Sequence, residues 1–156
     1  MINPNVHYRA KRDFAPVAGL ARSAFVIVVA ERPDAARTLA ELKAQLVKES
    51  GSFGSPGVGT IEHLTSELFL KQAGVKAAHV PYRGSSPALS DLAGGQLVFG
   101  CDTLIAALPL TRSNRLRALA VTSAERLPSL PDVPTVAQAL LPGFQVTAWW
   151  GIAAPA

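Results

Sequence analysis

Apolar and polar positions alternate along this chain in two distinct rhythms. Phe25-Val26-Ile27-Val28-Val29 is an unbroken, β-branched apolar run, the pattern of a strand buried on both faces, and it predicts a strand with parallel neighbours. Leu39, Leu42 and Leu46 then recur on one helical face behind Thr38-Leu39-Ala40-Glu41, a capping-box sequence, with Gly51 as the expected stop. A short strand over 52–55 follows. Ile61, Leu64 and Leu68 predict a helix from about Thr60 to Ala73, ended by Gly74. The order repeats: a strand over 77–82, a short helix capped by Ser86 with Pro87 at its first position, a strand over 97–101, a helix led by Asp102-Thr103, and a strand over 116–121.

The flanks differ. Residues 1–12 are polar and read as a surface segment. From Ala124 onward, Leu127-Pro128-Ser129-Leu130-Pro131-Asp132-Val133-Pro134-Thr135 reads as a rigid extended crossing. Thr135 caps a short helix through about Leu141, and 144–153 reads as a strand whose alternation sends one of Trp149 and Trp150 inward and the other outward. Alternating strands and helices predict an α/β fold, a parallel sheet with flanking helices. In such a sheet the loops at 56–60, 83–86 and 102–103 share the carboxyl edge of the strands, where open α/β folds bind ligands.

The first of those loops carries the most specific chemistry. Ser55-Pro56-Gly57-Val58-Gly59-Thr60 cannot propagate a helix or a strand, yet it feeds directly into a helix start. Bare amides of a first helical turn, close backbone approach at glycine and a macrodipole of roughly +0.5 charge make such a junction an anion site. A nucleotide P-loop is excluded, because Thr60-Ile61 stands where Lys-Ser or Lys-Thr is required; no G-x-G-x-x-G occurs either. Ser55, Gly57, Val58, Gly59 and Thr60 are thus candidate ligand contacts, and the alternative for the same residues is a well-capped turn. Ser85 and Ser86 are either further contacts or cap residues. Asp102 either orients its strand-to-helix turn or touches ligand. His63, four residues before Glu67, joins the candidates; a metal or catalytic role lacks a third ligand, and local hydrogen bonding is the competing assignment. No G-x-S-x-G elbow and no Cys-His pair with an orienting group is evident, which argues against nucleophilic catalysis.

Composition narrows the classes without choosing among them. In 156 residues, 49% are apolar, enough for a core, and the net charge is +4. The basic residues are scattered and not interleaved with aromatics, which excludes a nucleic-acid platform and leaves an acidic small ligand. Cys101, the single cysteine, sits in an apolar run and reads as a core residue. No apolar signal region follows Met1, and the run from Ala24 to Ala30 is too short for direct membrane insertion.

Taken in order, the motifs resemble one family closely. Ser55-Pro56-Gly57-Val58-Gly59-Thr60 with His63-Leu64, His79-Val80-Pro81-Tyr82-Arg83-Gly84, Pro87-Ala88-Leu89 with Asp91-Leu92 and Gly94-Gly95-Gln96, Leu116 to Ser123, Leu130 to Thr135, Pro142-Gly143 and Trp149 to Pro155 are similar to the Bug-type solute receptors of tripartite tricarboxylate transporters. The resemblance runs from Asp13 to the last residue. It implies a type II periplasmic binding protein: a two-lobed clamshell that captures a small carboxylate in the periplasm and delivers it to membrane permease subunits, with no cofactor, no metal and no enzymatic activity. On that pattern residues 1–33 are part of lobe one, 34–122 are lobe two, and 123–156 are the crossing segment and a further part of lobe one. It further implies a fragment, so a truncated, non-binding remnant is the alternative function. Two departures stand out: Val98 occupies a position that is usually acidic in the family, and Glu62 puts a negative charge in the first turn of the proposed anion-binding helix.

Overall fold

The structure, a computed structural model, describes residues 6–156. The expected surface segment is followed from residue 6 onward: it is largely exposed and ends in a single helical turn, α1 (Ala10–Asp13). Residues 1–5, on which the reading of the chain start rests, lie outside the described residues.

β1 (Phe14–Ala30) is one strand of 17 residues with two different halves. Its first half pairs antiparallel with β6 (Thr147–Pro155), from Phe14↔Pro155 to Ala24↔Thr147. Val17, Leu20, Trp149, Trp150 and Ile152 on this ribbon are all exposed, Trp149 by 75%. Neither tryptophan is therefore inward. Alternation does place them on opposite faces, but both faces of the ribbon are largely exposed among the described residues.

The second half of β1 is the buried β-branched run, and it is the fourth strand of a sheet ordered β3-β2-β4-β1-β5. In that sheet β2 (Gly51–Ser55) lies parallel to β3 (Ala77–Pro81) and to β4 (Phe99–Thr103). β1 runs antiparallel to both β4 and β5 (Leu116–Val121), so the expected all-parallel sheet is a mixed one. Burial on both faces is what the apolar run encodes, and a central antiparallel strand meets that requirement as well as a parallel one. Sheet pairing changes near residue 24, inside β1.

Alternation along β1 assigns the two helical layers. Phe25, Ile27 and Val29 share a face with Phe53 and Phe99 and pack against Leu39 and Leu42 of α2 (Leu39–Lys48), Phe69 of α3 (Ile61–Ala73) and Val136 of α6 (Val136–Ala139). Val26 and Val28 face the other way, toward Leu89 and Leu92 of α4 (Ser85–Ala93) and Ala107 of α5 (Leu104–Arg112).

Local signals decide where these helices begin and end. Thr38 caps α2 through the Glu41 amide at 3.1 Å, but the Glu41 carboxylate accepts from the Arg37 amide rather than from Thr38, so only half of the capping box forms. The complete box is at Thr135 and Gln138. α2 ends at Lys48, and Gly51 opens β2 instead of stopping the helix; a Cβ there would run into Leu46. Gly74 closes α3 as expected, in the left-handed conformation at φ 71°. α4 begins two residues early, with Gly84 at its N-cap and Ser86 and Pro87 inside the first turn, so Ser86 is not the cap. Among the described residues no helix is long and apolar enough to cross a membrane.

Candidate functional site

The parallel run of β2, β3 and β4 brings their carboxyl ends to one edge, and the connections there touch one another. The Tyr82 amide donates to Ser55 O at 2.9 Å and the Gly84 amide to Pro56 O at 3.2 Å, tying the loop after β3 to the glycine loop. The Ser85 hydroxyl donates to Asp102 Oδ1 at 2.9 Å, tying α4 to the end of β4. Loops 56–60, 83–86 and 102–103 thus form one continuous edge, onto which the N-termini of α3, α4 and α5 open.

Within the glycine loop most polar groups are already engaged. Gly57 and Gly59 sit at φ 154° and 80°, a backbone that side chains other than glycine's rarely tolerate. The Gly57 amide donates to Ser55 Oγ at 3.2 Å, and the Gly59 amide donates to His63 Nδ1 at 3.0 Å. Thr60 Oγ1 donates to Gly57 O at 3.0 Å and accepts from the His63 amide at 3.4 Å. Ser55 is 1% exposed, so its hydroxyl shapes the loop from beneath and does not face solvent. Among the described residues the amides of Val58, Ile61 and Glu62 have no partner within the chain, and Val58 is 69% exposed. Those three amides, rather than those of Gly57 and Gly59, are the ones this loop leaves without an internal acceptor.

The α4 turn is organised the same way. The Ser85 hydroxyl is committed to Asp102, while exposed Ser86 and the uncapped first-turn amides of Ser85 and Ser86 remain available at the edge. Asp102 is 2% exposed and accepts from Ser85 and from the Thr103 amide at 2.7 Å on the same oxygen. Burial, with a lesser contribution from the charge of Glu62, holds its carboxyl above the ordinary range against the lowering effect of those hydrogen bonds. Cys101, next in β4, is fully buried and its thiol is pushed well above the ordinary value by burial, which fits the core role expected of it.

One participant is absent from the candidates drawn from sequence. His79 Nε2 lies 2.7 Å from Ser55 Oγ, and the His79 ring stacks on His63 with centroids 3.9 Å apart and planes at 16°. Phe53 stacks behind His79 at 4.9 Å and 24°. The signal lies in the register: Phe53 pairs with His79 across β2 and β3, so Phe53, Ser55 and His79 share one face. That pairing is invisible until the strand neighbours are known. His63 Nε2 is 3.7 Å from Glu67, and among the described residues no group of three or more His, Cys, Asp or Glu side chains is placed to hold a metal ion.

Thr60 illustrates what this geometry demands of a test. Both hydrogen bonds of its hydroxyl are made internally, so Thr60→Ala is expected to lower stability by about 0.5–2 kcal/mol through the lost cap and one lost bond to the Gly57 carbonyl. Thr60→Ser retains both bonds and is expected to fall within about 0.5 kcal/mol of the parent. Chemical denaturation of the two variants checks this; equal losses would mean that the methyl group, not the hydroxyl, secures the loop.

Residues 1–156 match the family described as the tripartite tricarboxylate transporter family receptor. The chain is 43% identical over 155 residues to a protein of Pseudomonas sp. strain P51 described as the UPF0065 protein in the tcbD-tcbE intergenic region, covering 97% of this chain and 46% of that one. Among solved structures it resembles R. palustris Rpa4515 with adipate, at TM-score 0.91 and 34% identity over 99% of this chain and 52% of that chain. It also resembles MatC (Rpa3494) from Rhodopseudomonas palustris with bound malate, at TM-score 0.87 and 32% identity over 99% of this chain and 53% of that chain. The chain spans about half the length of these relatives.

Proposed function

Because the chain belongs to the receptor family of tripartite tricarboxylate transporters, we propose that it supplies one wall of an extracytoplasmic site that captures a small dicarboxylate. The observation that carries this reading is the convergence of the glycine loop and the α4 N-terminus on one sheet edge, with the amides of Val58, Ile61, Glu62, Ser85 and Ser86 left without an internal acceptor. A carboxylate accepting from two or three such amides gains about 1.5–3 kcal/mol per bond, because one partner is charged. Helix macrodipoles add only about 0.3–1 kcal/mol each, so local hydrogen bonds dominate. Ser55, Gly57, Gly59, Thr60, His63 and Asp102 then act behind the ligand, shaping the backbone, while Val58 and Ser86 touch it.

The adipate and malate in the two solved relatives support a dicarboxylate of four to six carbons as the ligand class. The partners are the membrane permease subunits of the transporter, and the compartment is the periplasm. Lobe two is proposed to hold the five-stranded sheet, with the β1–β6 ribbon belonging to lobe one. This is a binding role, not catalysis.

Amide chemical-shift titration of the 156-residue chain with adipate, malate and a monocarboxylate tests the reading. A site with one wall leaves the ligand partly solvated, so the expected dissociation constant is on the order of millimolar, near −4 kcal/mol. Shifts are expected at 57–62 and 84–86 with both dicarboxylates. No response to either acid at tens of millimolar, or a response elsewhere, would remove the assignment and leave the chain a non-binding remnant of the receptor.

A further inference from the structure

Two histidines stack directly behind the loop that presents the anion-receiving amides, and each is bonded to a different part of it. We propose that His63 and His79 are positioning residues for the glycine loop, a stacked latch that holds the loop in its binding shape while His63 is neutral and releases it when His63 takes up a proton.

The argument starts from hydrogen positions. The Gly59 amide donates to His63 Nδ1 at 3.0 Å, so Nδ1 must carry a lone pair. Neutral His63 therefore bears its proton on Nε2, which points toward Glu67 Oε1 at 3.7 Å. A second proton has only Nδ1 to occupy. There it would meet the Gly59 N–H head-on, and the bond that fixes Gly59 at φ 80° would be lost.

His79 secures the other half of the loop. Ser55 Oγ accepts from the Gly57 amide, lies 3.0 Å from Gly57 O and lies 2.7 Å from His79 Nε2. With a proton on His79 Nε2, every one of these contacts is satisfied: Oγ accepts twice and donates once. The ring thus pins Ser55, and through it both polar groups of Gly57. Because the two rings are 3.9 Å apart, a charge on one opposes a charge on the other. Burial and His63 both lower the pKa of His79, against a lesser opposing effect of Glu67, which keeps the pair from charging together.

The titratable groups on the elements packed around the pair are few. α3 contributes Glu62, Glu67 and Lys71, β4 contributes Cys101 and Asp102, β3 contributes His79 itself, and β2 contributes none. Of these, Glu67, 3.7 Å from Nε2, and His79, stacked at 3.9 Å, lie against the His63 ring. When His63 is protonated, the loop loses the alignment of the Val58 and Ile61 amides on either side of Gly59.

The consequence for ligand capture rests on the dicarboxylate reading above; the latch itself does not, and the test separates them. Nitrogen-15 spectra of the histidine rings in the unsubstituted chain are expected to show His63 in the Nε2–H form near neutral pH. Hydrogen exchange at the Gly59 amide, corrected for its intrinsic pH dependence, is expected to accelerate by about tenfold or more between roughly pH 7.5 and 5. His63→Asn places an amide oxygen where Nδ1 was and cannot titrate, so the corrected exchange becomes independent of pH. His63→Phe keeps the stack but removes the acceptor, and exchange becomes fast at both pH values.

Dicarboxylate affinity is then measured at both pH values in the unsubstituted chain and in His63→Asn, so that titration of the acid itself cancels. A loss of affinity on acidification that is at least about threefold larger in the unsubstituted chain supports the latch. Equal losses in the two proteins overturn it, as does His63 in the Nδ1–H form at neutral pH or a Gly59 exchange rate unaffected by His63→Phe. If the exchange results hold while no dicarboxylate binds at either pH, the latch stands and the dicarboxylate reading falls.

Discussion

Phe53→Ala is expected to lower stability by about 3–5 kcal/mol, the range for removing a fully buried aromatic ring. Phe53 has no solvent exposure and sits between Phe99, at 5.4 Å and 24°, and His79, at 4.9 Å and 24°. It is thus at once the centre of the α2–α3 core layer and the floor under the histidine pair. In a chain of this size each kcal/mol moves Tm by about 2–4 °C, so the expected fall exceeds about 6 °C. Phe53→Leu refills most of the volume without the flat ring and is expected to lose much less, about 1–1.5 kcal/mol. The two variants separate packing from stacking: both should release His79 from its ring-current environment, seen as a downfield move of its ring protons, but only the first should approach unfolding. A loss below about 1 kcal/mol in Phe53→Ala would mean that the core closes over the gap and that Phe53 does not organise the site.

What made this site partly legible in sequence is that its most informative feature is local. Glycines at 57 and 59, a cap at Thr60 and an amphipathic helix behind them are close neighbours in the chain, and their physics is that of one turn. The loop, the helix bounds of 61–73 and the stop at Gly74 accordingly appear where the residues place them. The same holds for the order of strands and helices, since each element is encoded by its own periodicity, and the motif resemblance agrees with the family match over residues 1–156. Features set by pairing between distant segments were not legible. Direction is one: Phe25–Val29 announces burial on two faces, but its antiparallel alignment depends on β4 and β5, far along the chain. His79 is another, because its role follows from lying across from Phe53 and diagonal to Ser55. The hydroxyls are a third. Ser55, Thr60 and Ser85 are the residue types that contact carboxylates, yet each spends its proton or its lone pairs within the fold, and only the folded arrangement leaves backbone amides beside them without an internal acceptor. The tryptophans show the limit of alternation: it assigns opposite faces, and whether a face is covered depends on layers beyond the strand itself.

Asp102 puts opposite signs on two substitutions that look alike. Its carboxyl has a folded-state pKa raised above the ordinary aspartate value, chiefly by burial. The folded protein therefore binds this proton more tightly than the unfolded chain does. The stabilisation that comes with it is complete below the ordinary carboxylate range and disappears as pH rises through the folded value. At neutral pH the ionised group is thus a net burden on the fold, although its Oδ1 still accepts from Ser85 and the Thr103 amide. Asp102→Asn keeps an oxygen for both donors and removes the charge, together with its repulsion from Glu62. It is expected to raise Tm at pH 7 by a few degrees, at about 2–4 °C per kcal/mol, with the advantage shrinking as pH falls toward the ordinary aspartate value. Asp102→Ala removes the charge and the acceptor together, stranding two donors at a buried position, and is expected to lower stability by about 1–3 kcal/mol relative to Asp102→Asn at every pH. Thermal unfolding of the three proteins between about pH 3.5 and 7.5 distinguishes these effects. If Asp102→Asn were less stable than the parent at pH 7, ionised Asp102 would be a net stabiliser of the edge, and its carboxylate would be holding the α4 turn through its charge rather than through its shape.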